Sequence, residues 1–377
     1  MVKTRKTENE VYPSIRRQRL RKLLRDLIDI YSPTGKEEEI IGYIHGYLKK
    51  HGLPVELQDV DDGRCNLIVM PPGKDPQVVL MGHIDTVAAY DLDDYECREE
   101  GDIVYGLGAA DMKSGCAALI ESYISAWEKS SDSVPVALAL LIGEEEEGDG
   151  ARAFIEDYHV PWVVIGEPTA LQPCLSHYGY MEIQIAIRGK RRHASLADRE
   201  HNPVEAMLRL LLSLSDYVSK KRLDLAYNIR DLYSPPGGFV VPDYCEVWID
   251  AHVPPDAPIG EITVELEEVV EKYRSKNPSL DMTLRFTTIH GGYDIPPKGT
   301  FVEAIKNVYQ SHSLEWSPQA FRSHSDANIF WEAGIKPIII GPGHLEQAHA
   351  PEESVSFEQV CLAAELYFDL LMSLRIS

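Results

Sequence analysis

VVLMGHIDTV at residues 78–87 and VYGLGAADMKSG at residues 104–115 decide how the rest of the chain is read. The first is an apolar run that ends in glycine and then offers a histidine and an aspartate. A run without polar alternation suits a strand buried on both faces of a parallel sheet. The second passes from an apolar stretch through glycines to Asp111 and then into a helical pattern. Strand ends of this kind bring His83, Asp85 and Asp111 to one edge of a sheet. Imidazole nitrogen with carboxylate oxygen is the donor set that zinc and its borderline relatives prefer. A single His-x-Asp pair is more often a turn or a satisfied hydrogen-bonded pair than a metal site, so the other strand ends carry the decision.

Outward from these stretches, further strands are expected at 66–70, 77–81, 136–142 and 162–165, with a helix over 114–129. Before them, an amphipathic helix is expected over 16–30, and a second helix reaches about residue 51, capped by Ser32 or Thr34 of SPTGKEEEI. Strands interleaved with helices indicate an α/β fold with a mainly parallel central sheet flanked by helices. The pattern changes near His177. YMEIQIAIRG, CEVWIDAHV and MTLRFTTI alternate with period two, and the helical stretches AMLRLLLSLSDYVSK and ITVELEEVVEKYRSK lie between them. That is an inserted β-α-β-α-β domain of α+β type. After residue 297 a helix over 301–312, the apolar strand in KPIIIGPG and a helix over 357–374 restore the first pattern. The expected organisation is one α/β domain in two parts, residues 1–176 and 291–377, split by an inserted domain over 177–290.

Composition narrows the function. The 377 residues are 44% hydrophobic and 26% charged, with a formal net charge of −23, which suits a soluble globular protein. It argues against an extended nucleic-acid or anionic-membrane footprint. The basic run Arg16, Arg17, Arg19, Arg21, Lys22 and Arg25 alternates with leucines and reads as a solvated helix face. No apolar run approaches the roughly 20 residues that span a bilayer, and none comes after the opening MVKTRKTENE as a secretory signal would. A cytoplasmic protein is expected. The six cysteines, at 65, 97, 116, 174, 245 and 361, form no CxxC pair, so neither a disulfide framework nor a thiolate zinc site is expected.

Three more strand ends repeat the opening pattern. VALALLIGEEEEGDGA sets consecutive glutamates directly after a buried strand, so at least one carboxylate should enter the same crevice. VVIGEPTA ends in Glu167 beside glycine, and GPGHLEQAHAPEE puts His349 in a loop after the strand of KPIII. Five strand-end or loop positions thus offer His, Asp, Glu, Glu and His.

In these motifs, and in their order from SPTGKEEE to the C-terminal helix, the chain resembles the two-metal aminoacylases and exopeptidases. That family includes acetylornithine deacetylase, acetyl-lysine deacetylase, succinyl-diaminopimelate desuccinylase and glutamate carboxypeptidase. The resemblance implies two zinc ions per chain, with cobalt as a possible substitute. His83 and Glu167 would ligate one ion, Glu145 and His349 the other, and Asp111 would bridge them. Asp85 would orient His83 by a hydrogen bond. Glu144 would be the general base for water attack on an amide carbonyl. Counting from Gly148 instead of Gly150-Ala151 would shift the base and ligand to Glu145 and Glu146. A cis peptide is expected at Asp111-Met112.

The inserted domain carries RGKRRHASLADREHNP, which resembles the family's lid motif. The resemblance implies an oxyanion-stabilising role for His193 and a homodimer formed through the lid. The usual lid asparagine and arginine are replaced by Phe239 and His252, which points to a more apolar acyl pocket. FRSHSDANIF resembles the family's substrate loop, and its Arg322 is the candidate for a substrate carboxylate. The expected substrate is a small N-acyl amino acid such as acetylornithine or acetyl-lysine, or alternatively a dipeptide cleaved by a metallo-exopeptidase. A non-catalytic binding relative is the remaining alternative.

Overall fold

The protein is described by a computed structural model that covers residues 15–374 apart from 62, 74, 93, 94, 130–133 and 198–200. The opening ten residues, where a secretory signal would begin, lie outside the described residues, as does part of the 188–203 motif. Two compact units are present: residues 1–174, 297–319 and 333–377 form the first, and residues 175–296 and 320–332 the second. The segment 320–332 thus groups with the second unit, although the sequence pattern joins it to the rest of 291–377.

In the first unit the strands run in the order Val55–Asp61, Arg64–Val69, Val136–Leu141, Val78–His83, Trp162–Ile165 and Lys336–Ile339. The last four are mutually parallel, while Val55–Asp61 and Arg64–Val69 form an antiparallel edge. Every residue of Val78–His83 and Val136–Leu141 is buried. This is why those strands carry apolar runs and no alternation. Pairing sets His83 opposite Leu141 and Met81 opposite Ile165, so the parallel strands finish level with one another. His83, the Glu run and Glu167, each at the end of its strand or just beyond it, therefore emerge at one sheet edge.

Helices Lys113–Lys129, Phe357–Ser373 and Arg17–Ile28 pack against one another. Leu20, Leu23, Leu24 and Leu27 are buried at this contact. The basic residues of Arg17–Ile28 are not simply solvated. Arg19 reaches Glu121 at 2.6 Å and Glu128 at 2.6 Å, and Arg25 reaches Glu99 at 2.7 Å. Close packing behind the strand ends needs glycine. A Cβ on either Gly115 or Gly341 would lie 2.1 Å from the main-chain oxygen of Gly166, so the helix and the returning strand both press on the residue before Glu167.

The second unit contains a four-stranded antiparallel sheet in the order Ala226–Tyr233, Tyr244–Val253, Gly179–Arg188, Asp281–His290. Met181, Ile183, Ile185 and Ile187 alternate inward against Met207 and Leu210 of helix Pro203–Lys221 and Ile262 and Leu266 of helix Ile259–Arg274. The pattern is therefore β-α-β-β-α-β, one strand more than the periodicity predicts. AYNIRDLY, the added strand, is exposed along almost its whole length, so burial imposes no alternation on it. Among the described residues no helix is long and apolar enough to cross a membrane.

Candidate metal centre

The edge of the first unit's sheet gathers His83, Asp111, Glu144, Glu145, Glu167 and His349. His83 Nε2 lies 3.2 Å from Asp111 Oδ1 and 3.7 Å from both Glu144 Oε2 and Glu167 Oε1. His349 Nε2 lies 3.1 Å from Glu145 Oε2 and 3.6 Å from Asp111 Oδ2. Asp111 thus offers one oxygen to each imidazole. The Asp111-Met112 peptide is cis, and His349 takes a left-handed backbone with φ 57°. Of the glutamate run, Glu144 and Glu145 turn toward the imidazoles, while Glu146 and Glu147 are exposed.

The residues after Val78–His83 build a scaffold under this cluster. His83 Nδ1 is 3.0 Å from the main-chain oxygen of Asp85 and 3.6 Å from its carboxylate. The ring is thus oriented mainly by the Asp85 backbone. The Asp85 carboxylate is fully buried and serves the glutamates instead. It accepts from Glu144 N at 3.3 Å, Glu145 N at 3.2 Å and Thr34 Oγ1 at 2.8 Å. Ser32 Oγ donates to Ile84 O at 2.9 Å. Helix Glu38–Lys50 begins without a side-chain cap, so the expectation that Ser32 or Thr34 caps it is corrected. Both hydroxyls are drawn to the loop after His83, which lies beside them through the Pro33–Thr86 bridge. Thr34 is a site residue that the helix-cap reading concealed.

The electrostatics are those of a cation site. Burial would depress the His83 imidazolium, yet the carboxylates of Glu144 and Glu167 hold its pKa well above the ordinary value. The hydrogen bond that His349 donates to the Glu145 carboxylate raises its pKa to about 9 against the opposing effect of burial. Burial and the neighbouring Asp111 push Glu167 well up, and burial raises Glu145. Glu145 Oε1 and Glu167 Oε1 are buried with no hydrogen-bond partner. Burying acceptors without donors is costly, and divalent cations would satisfy both. His83, Asp111 and Glu145 form one group of donor atoms within 4.8 Å of one another, and His83, Glu144 and Glu167 form a second. Such nitrogen and oxygen donors fit zinc-like ions.

A cavity of about 280 Å³ beside the His349 loop is lined by Tyr90, Asp91, Tyr95, Glu96, Tyr105 and Glu352, among others. The remaining sequence candidates belong to the second unit. His193 is exposed, and its Nδ1 accepts from Ser195 N at 3.2 Å. Arg322 is exposed with its guanidinium 6.0 Å from the Tyr178 ring centroid. Phe239 is exposed, and His252 is partly buried. In the FRSHSDANIF segment, Ser325 Oγ is 2.9 Å from His177 Nε2, and Asn328 Nδ2 donates to Tyr178 O and Gly291 O. Asn328 therefore ties three stretches of chain together.

Known proteins resemble the chain over most of its length. Acetylornithine deacetylase from Photorhabdus laumondii is 26% identical over 341 residues, covering 84% of this chain and 86% of that protein. Its counterpart from Klebsiella pneumoniae is 27% identical over 339 residues, covering 84% and 85%. Among solved structures, a tripeptidase from Staphylococcus aureus superposes with a TM-score of 0.79 at 19% identity, covering 97% of this chain and all of that one. Human carnosine dipeptidase 1 gives 0.76 at 16% identity, covering 96% and 97%. These two share the fold. Residues 79–373 match peptidase family M20/M25/M40. From His83 to His349 every residue of the centre lies inside that match, and the chain belongs to this family of metal-dependent hydrolases.

Proposed function

We propose that the protein is a cytoplasmic, homodimeric, two-zinc amidohydrolase that removes a small acyl group from an N-acyl amino acid. The observation that carries this reading is the placement of Asp111 between His83 and His349, with donorless carboxylate oxygens of Glu145 and Glu167 buried on either side. His83 and Glu167 would hold one ion, Glu145 and His349 the other, and Asp111 would serve both. Bound there, the ions would lower the pKa of a water and polarise an amide carbonyl.

The protein's own groups supply the rest. Glu144, fixed through its main chain by Asp85, accepts the proton from the attacking water and returns it to the departing amine. His193 Nδ1 accepts a hydrogen bond from Ser195 N, which leaves Nε2–H to donate to an oxyanion. Arg322 would pair with the substrate carboxylate in the manner of a two-pronged guanidinium clamp. The tyrosine-lined cavity beside the His349 loop carries Asp91, Glu96, Glu352 and Glu353 against the one lining cation Arg98, which pairs with Glu352 at 2.8 Å. The remaining negative charge suits a cationic side chain and favours ornithine or lysine derivatives. The homodimer is supported by the exposed edge strand Ala226–Tyr233, with Ile229 and Leu232 exposed on it and Leu208 and Leu212 exposed on helix Pro203–Lys221.

A panel of N-acetyl amino acids and dipeptides, offered to zinc-reconstituted protein, tests the reading. The expected result is the highest kcat/KM for N-acetyl-ornithine or N-acetyl-lysine. A marked preference for dipeptides would overturn the deacylase assignment in favour of an exopeptidase.

A further inference from the structure

Glu353 lies in the loop that leads from His349 into the strand Ser354–Ser356, and its side chain is 3% exposed. One carboxylate oxygen accepts from Gly108 N at 3.0 Å. The other accepts from Ala110 N at 2.8 Å and from Asp111 N at 2.9 Å. The Glu353 main chain accepts from Gly106 N at 3.1 Å and donates to Ala350 O at 3.1 Å, closing the turn after His349. A single side chain thus gathers three backbone donors from the loop that carries Asp111 while sitting on the loop that carries His349.

We propose that Glu353 is a positioning residue whose carboxylate fixes the Asp111 loop against the His349 loop and so sets the spacing of the two cation positions. The inference rests on the two-ion reading of the centre. Strand pairing already joins the two segments, with Ser354, Val355 and Ser356 opposite Tyr105, Val104 and Ile103. That ladder ends at Tyr105, and from Gly106 to Asp111 the loop is held to its neighbour by Glu353. Losing the carboxylate would leave the ladder and the fold in place. The N–H groups beside Asp111 would lack their acceptor, and the loop would shift to find another. Groups that orient metal ligands in this indirect way typically change metal affinity by about 10–100-fold.

The test compares wild type, Glu353→Gln and Glu353→Asp as full-length metal-free proteins. Zinc is titrated against a chromophoric chelator, and cobalt-loaded samples are read by absorption and by electron paramagnetic resonance. Glutamine keeps the length but presents an amide NH2 to backbone donors. Its expected behaviour is an unchanged metal-free circular dichroism spectrum, roughly 10–100-fold weaker binding of one ion, and altered magnetic coupling between the cobalt ions. Glu353→Asp, which restores a carboxylate, is expected to recover part of that affinity. If Glu353→Gln binds both ions with wild-type affinity and an unchanged cobalt spectrum, the positioning role is overturned. Should the glutamine variant fail to fold, the aspartate variant decides. Weakened binding with a changed spectrum supports the role, and wild-type values overturn it. A wild-type protein that takes one ion only overturns the proposed function as well, so the two failures are read from different samples.

Discussion

Replacing Glu144 with glutamine separates two roles that lie within a few ångströms of each other. Its Oε2 is 3.7 Å from His83 Nε2, the same distance as Glu167 Oε1. By position alone Glu144 could be a ligand or a base. Glutamine keeps the side-chain volume and the backbone N–H that Glu144 gives to Asp85 at 3.3 Å, but it cannot accept a proton. In the proposed ligand set, His83, Asp111, Glu145, Glu167 and His349 would already bring three carboxylates and two imidazoles, so holding two ions would not require a sixth donor. A positioned general base contributes about 10²–10⁴-fold to the rate, which corresponds to about 2.7–5.4 kcal/mol of barrier at 1.36 kcal/mol per decade. The assay is kcat and KM on N-acetyl-ornithine, with metal content measured on the same samples after dialysis. Glu144→Gln is expected to lose about 100- to 10,000-fold in kcat, keep KM within a few-fold and retain both ions. A variant that has lost an ion would make Glu144 a ligand. A variant with kcat within tenfold of wild type would remove it from proton transfer.

Buried polar groups elsewhere give two more expected outcomes. Burial holds His177 neutral and lowers its pKa to about 4, below the value of about 6.5 in an unfolded chain. The unfolded state therefore takes up a proton first, and stability that is complete above pH 6.5 falls as the pH drops toward 4. The loss reaches about 3 kcal/mol at 1.36 kcal/mol per pKa unit. Urea unfolding between pH 7.5 and 4.5 should show this slope in wild type and a flatter one in His177→Gln, and parallel slopes would refute the assignment. Thr34→Val removes the hydroxyl that donates to Asp85 at 2.8 Å, a hydrogen bond to a charged group worth about 1.5–3 kcal/mol. Its melting temperature should fall by about 5 °C and its kcat by about tenfold (2 kcal/mol or less of misplacement), while Thr34→Ser behaves as wild type. Unchanged kcat in Thr34→Val would show that Asp85 holds the glutamates without it.

The strand ends were legible in the sequence because a strand buried on both faces leaves its apolar run unbroken and its first polar residue at the sheet edge. His83, Glu144 and Glu167 all stand at such breaks. Asp111 and His349 sit in loops; residue type beside glycine-rich strand exits made them candidates, and their order along the chain, matched to a known family, gave them roles. Thr34 and Glu353 were missed for a physical reason. Each acts through hydrogen bonds to residues about 50 and 240 positions away in the sequence, and local pattern carries no trace of such partners. Thr34 in SPTG instead looked like a helix cap, because a hydroxyl before a glutamate-rich helix start is the usual cap signal. The edge strand Ala226–Tyr233 escaped because neither of its faces is buried enough to impose a period.

The most direct test of the central claim is metal stoichiometry. Metal-free protein titrated with zinc, with bound ion counted by mass spectrometry and amide hydrolysis measured in parallel, should take up two ions per chain. Activity should be lost on chelation and restored as both positions fill. Saturation at one ion per chain, or hydrolysis that survives complete removal of metal, would contradict it.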